Sequence, residues 1–95
     1  MQQIAILVVG KHPEIMKTIL RLINNKPEWS GSGAFTVEEA ADLCNITRFD
    51  VVLLGAGLND DETARVKRLF TIPVVEHFGG GSGLLYAEVY QALGL

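Results

Sequence analysis

Hydrophobicity along this chain changes period four times in the same direction, from a continuous apolar run to a stripe recurring every three or four residues. Ile4 to Val9 is apolar without interruption. Ile15, Met16, Ile19, Leu20 and Ile23 then recur at helical spacing, with Lys17, Arg21 and Asn24 between them. A strand buried on both faces reads as a continuous run, and a helix laid on a sheet reads as a stripe. Each pair is therefore a βα unit, and a succession of such units builds a parallel sheet with helices on its faces. Ninety-five residues, 48% of them hydrophobic, supply one core and one domain spanning 1–95.

Turn and cap residues mark the units off. Pro13 opens the first helix where a missing N–H costs nothing, and Asn25 to Pro27 stop it. The second strand, Trp29 to Phe35, is rich in glycine and reads as a short, poorly packed edge strand. Thr36 with Glu39 has capping-box spacing, and Phe35 with Ala40 has the spacing of a hydrophobic staple. Val37, Ala40, Ala41 and Cys44 line the buried face of that helix, with Cys44 expected in the core. Phe49 to Leu54 is the most apolar strand and belongs at the centre, ending in the turn Gly55 to Leu58. Asn59 and Glu62 repeat the capping logic for a third helix, whose narrow stripe is Val66, Leu69 and Phe70. Ile72 to His77 forms the last strand. A glycine-rich turn from Phe78 to Gly83 leads into a helix from Leu84 to Leu93, closed by Gly94.

Composition excludes several classes. Eight Lys plus Arg against eleven Asp plus Glu give a net charge of −3, which lacks the basic footprint of a nucleic-acid binder. No apolar run approaches the roughly 20 residues that span a bilayer, and no helix pairs a basic face with interfacial aromatics. A single cysteine removes any disulfide framework and any multi-cysteine zinc site, and the chain start carries no secretion signal, so the cytoplasm is the expected compartment. No cofactor is implied.

The stretch Ile6-Leu7-Val8-Val9-Gly10-Lys11-His12-Pro13-Glu14-Ile15, the segment Ala34 to Ala41 and the run Phe49 to Gly55 together resemble the receiver domain of bacterial two-component response regulators. In that family the first strand ends in two acidic residues that hold a divalent cation, and the third ends in the aspartate that takes a phosphoryl group. The matching positions here are Gly10, Lys11 and Gly55. The family's hydroxyl residue after the fourth strand falls near His77 or Phe78, and its lysine after the fifth strand has no counterpart in four units. Asp50 to Gly57, Ile72 to Val75 and the closing helix are similar to the lactose/cellobiose-type IIB components of sugar phosphotransferase systems. Those carry a phosphocysteine after the first strand, where this chain has Gly10-Lys11-His12. Both resemblances imply a three-layer α/β/α sandwich on a four-stranded parallel sheet of order 2-1-3-4, a truncated flavodoxin-like plan with right-handed crossovers.

In that topology the turns after strands 1 and 3 meet at a switch point, with the loop after strand 4 beyond. The candidate ligand site is Gly10, Lys11, His12, Gly55, Gly57, His77, Gly79, Gly80, Gly81 and Ser82, where glycine N–H groups and one cation would suit a phosphate-bearing small molecule. Plain βα turns are the alternative reading of the same residues. Two histidines without a carboxylate set make no metal site, and Glu76 could join them only if strand 4 is an edge. Leu85, Tyr86, Val89 and Tyr90, with Leu93 and Leu95, offer more apolar area than one sheet-facing stripe needs, which points to a homodimer. The leading expectation is a non-catalytic pseudo-receiver that binds a protein partner or itself and cannot be phosphorylated on aspartate. Next comes an anion or nucleotide-phosphate site in the crevice. Third is a phosphocarrier on His12 or His77, which needs a second group to orient the imidazole, and the sequence identifies none.

Overall fold

The computed structural model describes residues 3–55, 57–77 and 82–94. Its elements alternate: β1 (Ile4–Val9), α1 (Pro13–Asn24), β2 (Trp29–Ala34), α2 (Val37–Ile46), β3 (Val51–Leu54), α3 (Asp60–Leu69), β4 (Val74–Glu76) and α4 (Ser82–Leu93). The four strands form one parallel sheet in the order β2-β1-β3-β4. β1 and β3 are interior and fully buried from Ile6 to Val9 and across Val51 to Leu53, as their unbroken apolar runs require.

Strand alternation divides the core in two. Ile6, Val8, Val51 and Leu53 point to one face, where Met16, Ile19 and Ile23 of α1 and Leu85 and Val89 of α4 cover them. Leu7, Val9, Val52 and Leu54 point to the other, under Val37 and Ala40 of α2 and Val66 of α3. The three-layer sandwich and its strand order match the expectation from the sequence. Among the described residues no helix is long and apolar enough to cross a membrane.

β2 departs from expectation. It is an edge strand, but its six residues pair with all of β1, from Ile4 opposite Trp29 to Val9 opposite Ala34. Its glycines mark close packing: a Cβ on Gly31 would lie 2.9 Å from Ile23 Cγ2, and one on Gly33 would lie 2.8 Å from Met16 Sδ. α1 sits directly on the backbone of β2, and only hydrogen fits between them.

Caps hold the helix starts. Pro13 occupies the first turn of α1, and His12 is its N-cap. Asn59 and Glu62 complete a reciprocal capping box on α3: Glu62 N–H donates to Asn59 Oδ1 at 2.8 Å, and Asn59 N–H donates to Glu62 Oε1 at 3.2 Å. On α2 the box is half made, because the Glu39 N–H donates to Thr36 Oγ1 at 3.0 Å while the Glu39 carboxylate lies against the Thr36 hydroxyl. Phe35, expected to staple against Ala40, stays 41% exposed. Gly94 ends α4 with φ +72°, the left-handed turn expected there.

Candidate functional site

The strand ends of β1 and β3 meet as expected. Gly10 N–H donates to Ala34 O at 3.0 Å, and Gly55 N–H donates to Val9 O at 2.7 Å, so both turns are bonded to neighbouring strands. Gly57 has φ +96°, a conformation that favours glycine, and a Cβ there would come within 3.0 Å of Lys11 Cβ. The β3–α3 turn is pressed against Lys11. Beyond it the Lys11 ammonium reaches Glu62 Oε2 at 2.6 Å, and Glu62 is only 14% exposed. One carboxylate therefore caps α3 and pairs with Lys11. Its pKa is held below the ordinary 4.5, first by the hydrogen bond from Lys11 and then by the backbone N–H of Asn59.

The remaining candidates scatter. His12 is exposed and turns back on its own helix, its Nδ1 accepting from Ile15 N–H at 3.4 Å. His77 extends the β3–β4 ladder, its N–H donating to Leu54 O at 2.9 Å, and its side chain is buried. There His77 Nδ1 meets the carboxylate of Glu88 on α4. Edge position leaves Glu76 on β4 accessible, but it pairs with Lys67 at 3.0 Å and joins neither histidine. Gly79, Gly80 and Gly81 lie outside the described residues, and Ser82 begins α4. Among the described residues no group of three or more His, Cys, Asp or Glu could hold a metal ion.

Further expectations are corrected. Leu85 and Val89, assigned to an interface, are fully buried in the core, because β3 and β4 carry their apolar side chains to that face and α4 must cover them. Tyr86 and Tyr90 are half-buried and pack edge-on against Trp29, at ring-centroid distances of 5.3 and 5.4 Å. Tyr86 Oη donates to Leu22 O at 2.8 Å, and the Lys26 ammonium donates to Tyr90 Oη while lying 4.7–5.2 Å from all three ring centroids. Leu95 lies outside the described residues. Cys44, expected in the core, is exposed, and Leu43 packs inward in its place. The stripe residue Leu69 is likewise 44% exposed, and Ile15 is exposed on α1.

Sequence reasoning missed the two carboxylates that matter most. Glu62 read only as a cap, since nothing local announces a partner 51 positions away. Glu88 carried a signal: it is the only charged residue of α4, in a helix otherwise apolar or neutral.

No family model matches the chain, and no curated protein matches it. Solved structures do. HP1043, an orphan response regulator of H. pylori, superposes with a TM-score of 0.65 at 12% identity, over 95% of this chain and 96% of that one. The signal receiver domain of a DNA-binding response regulator from Colwellia psychrerythraea gives 0.64 at 17%, over 98% and 100%. The lactose-specific IIB component domain of the phosphoenolpyruvate:carbohydrate phosphotransferase system from Streptococcus pneumoniae gives 0.62 at 15%, over 98% and 93%. At these identities the likeness is one of fold, and it is the receiver-like, flavodoxin-like fold that the sequence resembled.

Proposed function

We propose that this chain is a non-catalytic, receiver-like binding module whose strand-end switch is built shut and which takes no phosphoryl group on aspartate. The Lys11–Glu62 pair carries the reading. Aspartyl phosphorylation needs a carboxylate nucleophile and a hard cation gripped by oxygen ligands. At the positions the resemblance marks, the chain has Gly10, Lys11 and Gly55. Among the described residues, the carboxylate that reaches Lys11 is already engaged by that ammonium and by a backbone N–H. The same pairing weighs against a phosphate-binding crevice, because an anion would have to displace Glu62 from Lys11. A module of this kind acts through its surface on a protein partner, in the cytoplasm, where an exposed lone thiol such as Cys44 stays reduced. The test is incubation with acetyl phosphate and magnesium followed by intact mass measurement. The expected result is an unchanged mass, and a hydroxylamine-sensitive phosphate adduct overturns the reading.

One observation favours a second reading, a phosphohistidine carrier. Glu88 supplies the orienting group: a proton on Nδ1 directed at its carboxylate would present the Nε2 lone pair as the phosphoryl acceptor. Phosphoryl transfer would form an Nε2–P bond as the donor's P–O bond breaks. The burial of His77 makes this the lesser reading. It requires an acid-labile, alkali-stable label that disappears in His77→Ala and falls in Glu88→Gln; without such a label it is removed.

A further inference from the structure

We propose that the valley between α2 and α3 receives an acidic amphipathic helix from a partner protein. The inference rests on the reading of the chain as a binding module and names its surface. Two adjoining grooves share Leu69. One, of about 370 Å³, runs between the helices over Val37 and Ala41. The other, of about 490 Å³, opens beyond the helix ends over Phe49, Phe70 and Ile72. Ile46, 81% exposed, and Leu69, 44% exposed, stand at the margins. They are large apolar side chains at the C-terminal ends of the two helices, on a surface where the fold gives them no partner.

Charge selects the occupant. The chain is acidic overall, yet the grooves are rimmed by Arg48, Arg65 and Arg68. The only carboxylate in their lining is that of Glu38, already bonded to Arg65 at 3.1 Å and held below the ordinary carboxylate pKa by its own backbone N–H and by that arginine. A partner bearing carboxylates beside its apolar anchors therefore meets the guanidinium groups of Arg48 and Arg68, which have no ion pair among the described residues. The valley also selects the form. The strand edges of this sheet are β2 and β4, and the valley lies over the interior between two helices, so an entering peptide finds no strand to pair with. Its backbone must satisfy its own hydrogen bonds, which a helix does, while apolar residues at i, i+4 and i+7 fill the grooves.

The test uses the full chain and a fluorescein-labelled peptide of about 15 residues, with leucines at i, i+4 and i+7 and glutamates on both flanks. Saturable polarisation is expected, lost when the glutamates are exchanged for lysines. Affinity is expected to fall about tenfold or more in Ile46→Ser, Leu69→Ser or Arg68→Glu. All three sites are exposed, so circular dichroism should confirm an unchanged fold. Lys17→Met, exposed on α1 across the sheet, should bind as the parent does, and amide shifts on titration should map to α2 and α3. The proposal is overturned by absence of saturation, by equal affinity in the three variants, or by a single-stranded oligonucleotide binding as tightly as the peptide. It is also overturned by a concentration-dependent dimer that protects Ile46 and Leu69, because a second copy would then be the occupant. Failure here leaves the phosphorylation result standing, and an acetyl phosphate adduct would leave the groove standing, so the two readings fail separately.

Discussion

The two faces of the sheet finish their apolar surface in different ways. On the α1/α4 face the aromatic excess is consumed internally, although Ile15 and Leu84 stay exposed: Trp29, Tyr86 and Tyr90 pack edge to face, Lys26 lies against all three rings, and Tyr86 bonds the end of α1. On the α2/α3 face the helices are shorter and end early, leaving Ile46 and Leu69 in solvent. Total hydrophobicity is thus a poor guide to which helices leave apolar side chains in solvent. The more apolar helix, α4, buries Leu85 and Val89 and leaves Leu84 exposed in its first turn, whereas on α2 and α3 the exposed residues, Ile46 and Leu69, are the last of their helices.

The contrast can be broken most directly at Trp29. Trp29→Ala should cost about 3–5 kcal/mol in chemical denaturation, because it removes the residue that both tyrosines pack against; a loss under about 1 kcal/mol would show that the face is not sealed through it. Gly31→Val should cost about 1–3 kcal/mol by overpacking, since Ile23 Cγ2 is a stiff, branched neighbour at 2.9 Å. Full stability in that variant would show that α1 can lift from β2.

The ion pairs sharpen the comparison through pH. The folded pKa of Glu62 is depressed, so its stabilisation is present above the ordinary 4.5 and is lost as pH falls through the folded value. Glu62→Gln should therefore flatten the acid limb of a stability profile. Lys26 shifts the other way, raised from 10.5 chiefly by its hydrogen bond to Tyr90. Its contribution is complete below 10.5 and is lost as pH rises through the raised value, so Tyr90→Phe should flatten the alkaline limb alone. The smallest expected effect is at the open face: Ile46→Ser and Leu69→Ser should each change stability by no more than about 0.5 kcal/mol in the same denaturation assay. A larger loss would mean that these side chains serve the fold and not a partner.

Local signals carried much of the architecture. Pro13, Asn59 with Glu62, and Gly94 each mark an element boundary through backbone chemistry confined to four or five residues, and all three were legible. β2 was misjudged because glycine reads as weakness when its neighbours are unknown, whereas here Met16 and Ile23 press against it from α1. Cys44 and Leu69 were misplaced because a helical stripe gives direction but not the width of the sheet beneath it. The site was the least legible part. Gly10, Lys11 and Gly55 showed what was missing, but the group closing the gap is a glutamate on a different helix.

What the chain's order of residues determined was the succession of four βα units, because a change of hydrophobic period is local and each unit must bury its own run. Which carboxylate meets which cation was decided only by the assembled fold. Lys11 with Glu62, His77 with Glu88 and Arg65 with Glu38 join different segments, two of them more than 25 positions apart. Such pairs depend on how helices are set across a sheet, and Coulomb attraction acts over ångströms of space with no regard to separation along the chain.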